Sequence, residues 1–162
     1  TGGLGAAGAR ALEAFVRGGG RVVAVEGAGD FFIELFDLGI SNATERLPSQ
    51  DFFIPGSILH VDLEPGHYVN RGEGEGTPVW FWGSSRAYDV TDPQVQVVAR
   101  FGEGDPLLSG WLLGPEYLAG KPAILEARVG EGSVVFFGFQ PDYRAQTVTT
   151  WPLLFNALAG SD

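Results

Sequence analysis

Four groups of residues in this sequence have types or spacings that chemistry uses. Gly3-Leu4-Gly5-Ala6-Ala7-Gly8 fits G-x-G-x-x-G at the opening of a helix. Glu26 follows the next strand, near the place where a dinucleotide fold keeps its ribose-binding acid. Such glycines let a pyrophosphate approach the backbone, and a helix N-terminus offers N–H groups and positive potential. The fingerprint has to follow a strand, however, and only two residues stand before Gly3, so these glycines read as a helix start. His60 shares a strand face with Asp62, and His67 lies in a loop beside Glu64. A catalytic zinc needs three protein ligands and an open position, and neither H-E-x-x-H nor H-x-x-E occurs. Both histidines are therefore expected at the surface or in ordinary hydrogen bonds.

A serine nucleophile wants a strand–elbow–helix setting, and Gly27-Ala28-Gly29 is such an elbow. It offers Glu26 and Asp30 but nothing nucleophilic. Ser57, Ser84, Ser85 and Ser109 lie elsewhere without a histidine partner, so acyl transfer is not expected. The last group is Asp142, Tyr143, Arg144 and Gln146, directly after an apolar strand. In open α/β sheets, ligands bind beyond the carboxyl ends of strands. Glu26, Asp142, Arg144 and Gln146 are thus the candidate ligand-binding residues. The competing assignment pairs Arg144 with a carboxylate that pins its loop. Trp80 and Trp82 stand on one side of a short strand and read, with Trp111, as core or interface rather than a sugar platform. No catalytic residue and no metal ligand is assigned.

The elements that position these groups follow from periodicity. Residues from Gly2 to Gly8 open a helix whose apolar stripe is Leu4, Ala7, Leu12, Phe15 and Val16, ended by Gly18-Gly19-Gly20. Arg21 to Glu26 is apolar on both faces, as in a buried parallel strand. Asp30 caps a short helix from Phe31 to Phe36, closed by Gly39. Residues 40–56 form a long excursion, and Ile58 to Leu63, Val79 to Trp82 and Val95 to Phe101 are strands. In the last strand Val95, Val97, Ala99 and Phe101 face inward. Ala123 to Val129 alternates, with Glu126 and Arg128 opposite Leu125 and Ala127, as in a half-buried strand near a sheet edge. Gly130-Glu131-Gly132 turns the chain, and Ser133 to Phe139 is apolar enough to lie inside the sheet. A closing helix carries Trp151, Leu154, Phe155 and Leu158 on one face, with Pro152 in its first turn. The pattern gives one α/β domain over 1–162, a three-layer sandwich around a mixed sheet.

Composition narrows the partners. The chain has 162 residues, 44% of them apolar, enough for a real core. Its net charge is −10, and Lys121 is its single lysine. Nucleic acid and anionic membrane are not expected partners, since both need a cationic face. Cysteine is absent, which removes disulfides, thiolate ligands and a cysteine nucleophile. Asn42-Ala43-Thr44 fits the glycosylation acceptor pattern and reads as a surface turn.

Four segments carry a resemblance: GGLGAAGARALEAFVRGGGRVVAV, FFIPGSILHVDL, GDPLLSGWLLGPEYLAGKPAILEARVGEGSVVFFGFQPDYRAQT and TWPLLFNAL. Together they resemble the C-terminal, class I glutamine amidotransferase-like domain of bacterial zinc carboxypeptidases of the carboxypeptidase A type. The likeness spreads over nearly the whole chain and is most specific from Gly104 to Thr147. It implies a flavodoxin-like sandwich with a mostly parallel sheet and a C-terminal antiparallel hairpin. It also implies a fragment, with the family's first strand, helix and second strand lying before Thr1 and an upstream peptidase domain holding zinc. None of those zinc ligands falls in this segment, so no cofactor is expected in it. The resemblance places a cysteine at the elbow after the strand that here ends at Glu26, so glutaminase chemistry is not expected. A secreted or periplasmic location is implied. The expected role is a non-catalytic accessory domain that supports the peptidase domain or pairs with another copy of itself. The alternative is a nucleotide- or sugar-binding module that uses the strand ends.

Overall fold

The apolar run expected inside the sheet is its second strand, and the fold builds outward from it. A computed structural model describes residues 3–160. In chain order the elements are α1 (Gly5–Arg17), β1 (Arg21–Val25), α2 (Ala28–Phe36), β2 (Ile40–Asn42), β3 (Ser57–Leu63), β4 (Gly76–Phe81), β5 (Tyr88–Val90), β6 (Val95–Phe101), β7 (Leu107–Ser109), β8 (Pro122–Val129), β9 (Gly132–Phe137) and α3 (Trp151–Ala159). The main sheet has seven strands in the order β1-β9-β8-β6-β3-β4, with β7 added to β3. β6 and β7 share one side of β3: β6 pairs at Val61–Leu63 and β7 at Ile58 and Leu59.

The α/β sandwich and its mixed sheet are as the sequence predicts, but the parallel share is small. Among the described residues only β1 and β9 run parallel, in register from Arg21↔Ser133 to Val25↔Phe137. The other pairings of the main sheet are antiparallel. The physical reason is connectivity. No α-helix separates β3 from β9 in the chain, and a parallel neighbour needs a long crossover. The expected C-terminal hairpin is present as β8–β9.

β8 lies between β6 and β9 rather than near an edge, and seven of its eight residues are buried. Its alternation comes from Arg128, its one exposed residue, and from Glu126, which is charged yet only 2% exposed. β6 does not keep strict alternation either. Its register shifts between Val97 and Ala99, so that Val98 and Ala99 are both buried.

Two apolar clusters cover the two faces of the sheet. Val16, Phe32, Ile40, Tyr88, Val134 and Phe136 join the sheet to α1, α2 and the small β2–β5 ribbon. Leu59, Val79, Phe101, Phe137, Leu153 and Ala157 join its other face to α3 and the loops. Each fully buried large side chain contributes about 1.5–3 kcal/mol. α1 buries Val16 and leaves Leu4 and Phe15 half exposed. α2 begins at Ala28, two residues before Asp30, and ends on Asp37 in the left-handed region (φ 51) rather than on Gly39. α3 buries Leu153 and Ala157, while Trp151, Phe155 and Leu158 are exposed. The face that the sequence suggested for burial is the outer one. Gly2, in the expected helix opening, lies outside the described residues.

Candidate functional site

β1 and β9 end side by side, and Glu26 is the first residue past the tip of β1. Its N–H donates to the Phe137 carbonyl (2.8 Å), continuing the ladder by one bond. Its φ is then 49, a left-handed value that costs a non-glycine residue roughly 1 kcal/mol or more. This is the strand–elbow–helix turn read from Gly27-Ala28-Gly29, with Gly27 as the N-cap of α2 and Ala28 and Gly29 already in its first turn.

The Glu26 carboxylate is held by a turn that sequence reasoning did not connect to it. After β4 the chain closes a tight turn, with Ser85 N–H donating to the Trp82 carbonyl (2.9 Å). That turn aims three donors at one carboxylate. Trp82 Nε1–H and the Ser85 hydroxyl donate to Oε1 (2.8 and 2.9 Å), and the Ser84 hydroxyl donates to Oε2 (2.8 Å). Next to it, Arg86 makes a bidentate pair with Asp30 (3.1 and 2.8 Å) and donates to the Ser84 carbonyl (2.6 Å). The hydrogen bond to Asp30 raises the arginine above its ordinary pKa, so Arg86 stays charged. Elbow, acid and base are thus tied to one another. Nothing in the local sequence tied residues 82–86 to Glu26; the pairings of the sheet bring the ends of β1 and β4 to the same side.

The other candidate residues lie on the loop after β9. Tyr143 stacks on Trp80 (5.1 Å between centroids, 4° between planes) and leans on Trp82 (5.2 Å). It therefore connects this loop to the Glu26 network. Arg144 lies over the Tyr143 ring (5.4 Å) rather than beside a carboxylate. Asp142, Arg144 and Gln146 are exposed. Arg144 and Ala145 both have positive φ (46 and 53), which with Glu26 makes three strained non-glycine residues past the ends of β1 and β9.

Neither histidine joins this site. His60 Nε2 meets Asp62 Oδ1 (2.9 Å) at the surface. His67 does something the sequence did not suggest. Its Nε2 meets Oε2 of the buried Glu126 (3.1 Å), while Val69 N–H donates to its Nδ1 (3.3 Å). A ring that accepts at Nδ1 donates at Nε2, so both nitrogens are engaged. Tyr68 completes the group by donating its hydroxyl to Glu126 Oε1 (2.9 Å). Burial and the Glu126 charge push the Tyr68 phenol up to about 12. Burial also raises the Glu126 pKa, but hydrogen bonds from His67, Ser133 and Tyr68 outweigh it and bring the carboxyl down to about 2. The sign follows from the depressed value. The stabilisation is complete above about 4.5, the ordinary value, and is lost as pH falls through about 2. In urea titrations between these pH values, Glu126→Gln is expected to flatten the loss of stability seen in the parent chain. Equal slopes would show that Glu126 does not titrate this way. Among the described residues, no group of three His, Cys, Asp or Glu side chains is placed to hold a metal ion.

The elbow makes a separate prediction. Glu26→Ala strands an indole N–H and is expected to cost about 2 kcal/mol. Glu26→Gly is expected to recover about 1 kcal/mol of that, because glycine adopts positive φ freely. Chemical denaturation of both variants checks the order.

No protein-family model matches the chain, and no curated protein matches it in sequence. Solved structures do match in fold. A β-galactosidase from Bacillus circulans sp. alkalophilus aligns over 95% of this chain at 14% identity and a TM-score of 0.59, but only 20% of that enzyme is covered. A protein assigned to the GMP synthases, from Thermoplasma acidophilum, aligns over 94% (8% identity, TM-score 0.60, 63% of that chain). A ThuA-like protein from Bacteroides uniformis aligns over 94% (14% identity, TM-score 0.57, 62% of that chain). The chain therefore spans a fifth of the β-galactosidase and less than two thirds of the other two. At these identities the likeness is one of fold, and that fold is glutamine amidotransferase-like.

Proposed function

We propose that this chain is a non-catalytic accessory domain that supports or positions the peptidase domain of a bacterial zinc carboxypeptidase. One observation carries the reading: the elbow holds Glu26, and both of its carboxylate oxygens accept hydrogen bonds from Trp82, Ser84 and Ser85. The acid is spent on fastening its own turn, and the two serine hydroxyls beside it are spent on the acid. The fold of the β-galactosidase, in which a match to this chain fills one fifth of the enzyme, supports a role as a module within a longer hydrolase. The assignment to carboxypeptidases rests on the resemblance carried by residues 104–147. Incubated with peptides and added zinc, the purified chain is expected to release no amino acid. Turnover that survives repurification and vanishes on one substitution within the chain would end the reading.

A competing reading takes the strand tips as a small-molecule site formed by Glu26, Asp142, Arg144 and Gln146. The strained backbone at Glu26, Arg144 and Ala145 favours it, because such strain gathers at functional sites. Calorimetric titration with NAD, nucleotides and sugars decides between the two. Binding heat that disappears in Arg144→Ala would favour the second.

A further inference from the structure

We propose that the cavity between the end of β3 and the loop leading into β4 binds a small alkyl diamine in its charged form. The cavity has a volume of about 580 Å³, within the range of small-molecule sites. Leu63 and Pro65 give it an apolar wall, and Glu64, Glu73 and Glu75 bring three acids to it. The loop, Asn70-Arg71-Gly72-Glu73-Gly74-Glu75-Gly76, alternates acid with glycine, so little side-chain bulk stands between the acids. It is fastened at both ends. Asn156 of α3 donates to the carbonyls of Val69 and Arg71 (3.0 and 2.9 Å), and Leu63 N–H donates to the Glu75 carbonyl (2.8 Å).

Asn70, which lines the same cavity and is only 8% exposed, points to a ligand. Its main chain is satisfied, the N–H donating to the His67 carbonyl (3.0 Å) and the C=O accepting from Glu73 N–H (3.1 Å). Its Nδ2 donates to the carbonyls of Glu64 and Val98, both at 2.8 Å. Two carbonyls can only accept, so the end of the amide that meets them is the nitrogen. Oδ1 is turned away from them and is buried without a partner. Buried acceptors ordinarily find a donor. The acids on the cavity wall accept as well, so the missing partner is a donor that carries positive charge.

Charge and shape select the class. Glu64 gives one oxygen to Arg100 Nε (3.1 Å). Among the described residues no cationic side chain pairs with Glu73 or Glu75. Three acids against one arginine leave an excess that a dication balances. A bare calcium ion fits less well, because it gathers six to eight oxygens at about 2.3–2.6 Å. Among the described residues no three acid or imidazole side chains converge in that way. An ammonium group offers three donors and no acceptor, which suits Oδ1 and the carboxylates, and its methylene stem can lie on Leu63 and Pro65.

Calorimetric titration with 1,5-diaminopentane, paired with NMR of the Asn70 side-chain amide, tests the proposal. The expected result is saturable binding with a Kd of about 1 mM or tighter. The Asn70 side-chain signals and the backbone amides of residues 63–75 should shift while the remaining spectrum stays in place. Glu73→Gln with Glu75→Gln keeps the main-chain bonds of the loop and is expected to weaken binding about 10-fold with unchanged circular dichroism. 1-Pentanol, which has the same chain length without the charge, should not bind. A chain that shows no saturable binding up to about 10 mM diamine overturns the proposal. So does binding that leaves the Asn70 signals unmoved, binding indifferent to the double substitution, or calcium chloride that produces the same shifts at lower concentration.

Discussion

Replacing Glu126 by Leu is expected to lower the unfolding free energy by about 4 kcal/mol and Tm by roughly 8–16 °C. The size comes from what the substitution leaves behind. Glu126 sits in the middle of β8, 2% exposed, and accepts hydrogen bonds from His67 and Tyr68. Leucine fills the space but strands the His67 N–H, on a side chain 11% exposed, and the hydroxyl of the partly buried Tyr68. A buried donor without an acceptor costs its full desolvation, about 1–3 kcal/mol for each group. Glu126→Gln keeps a carbonyl acceptor for part of this donor set, so it is expected to cost about half as much. Equal losses for the two variants would show that the volume of the side chain, not its acceptor oxygens, holds this part of the sheet. Urea titration at neutral pH measures both.

Gly138→Ala is the second large effect. Gly138 follows β9, where its N–H donates to the Ala123 carbonyl (2.9 Å) and its carbonyl accepts from Arg86 N–H (2.5 Å). A Cβ there would run into the backbone oxygen of Arg86 and come within 3.0 Å of that of Ala123. Both obstacles are main chain, so no rotamer change relieves the contact. The expected loss is about 3 kcal/mol, at the top of the range for overpacking. The change should also reach the elbow, because the segment pushed aside carries Ser84, Ser85 and Arg86. In a folded Gly138→Ala variant, Trp82 should lose its bond to Glu26, and the NMR signal of its indole N–H reports this. A stable variant with an unaltered Trp82 signal would mean that the 82–86 turn is held from elsewhere.

These two sites show what a sequence discloses and what it withholds. The elbow at Glu26, the β8–β9 hairpin and the interior position of β9 were legible because each is written in neighbouring residues: a glycine turn, a Gly-Glu-Gly reversal, an unbroken apolar run. Glu126 was not legible. Alternation within β8 gave it a polar face, and the groups that bury it, His67 and Tyr68, are 59 and 58 residues away in the chain. α3 misled for a different reason. It is apolar nearly all round, so Leu153–Ala157 and Trp151–Phe155–Leu158 are both plausible inner faces, and only packing chooses between them. The parallel share of the sheet was overestimated because strand order depends on connections, and here hairpins and irregular loops replace helical crossovers. At the strand tips the acid was visible, but its three donors belong to a turn 56 to 59 residues away.

Hydrogen exchange at the Trp82 indole tests most directly whether Glu26 is locked. With both carboxylate oxygens occupied, the Trp82 indole N–H should exchange slowly with solvent, its signal shifted well away from that of the exposed Trp111 indole, and Glu26→Ala should bring the two together. An indole N–H at Trp82 that exchanges as fast as that of Trp111 in the parent chain would show a free Glu26 carboxylate at the elbow, and the inert-scaffold account would be wrong.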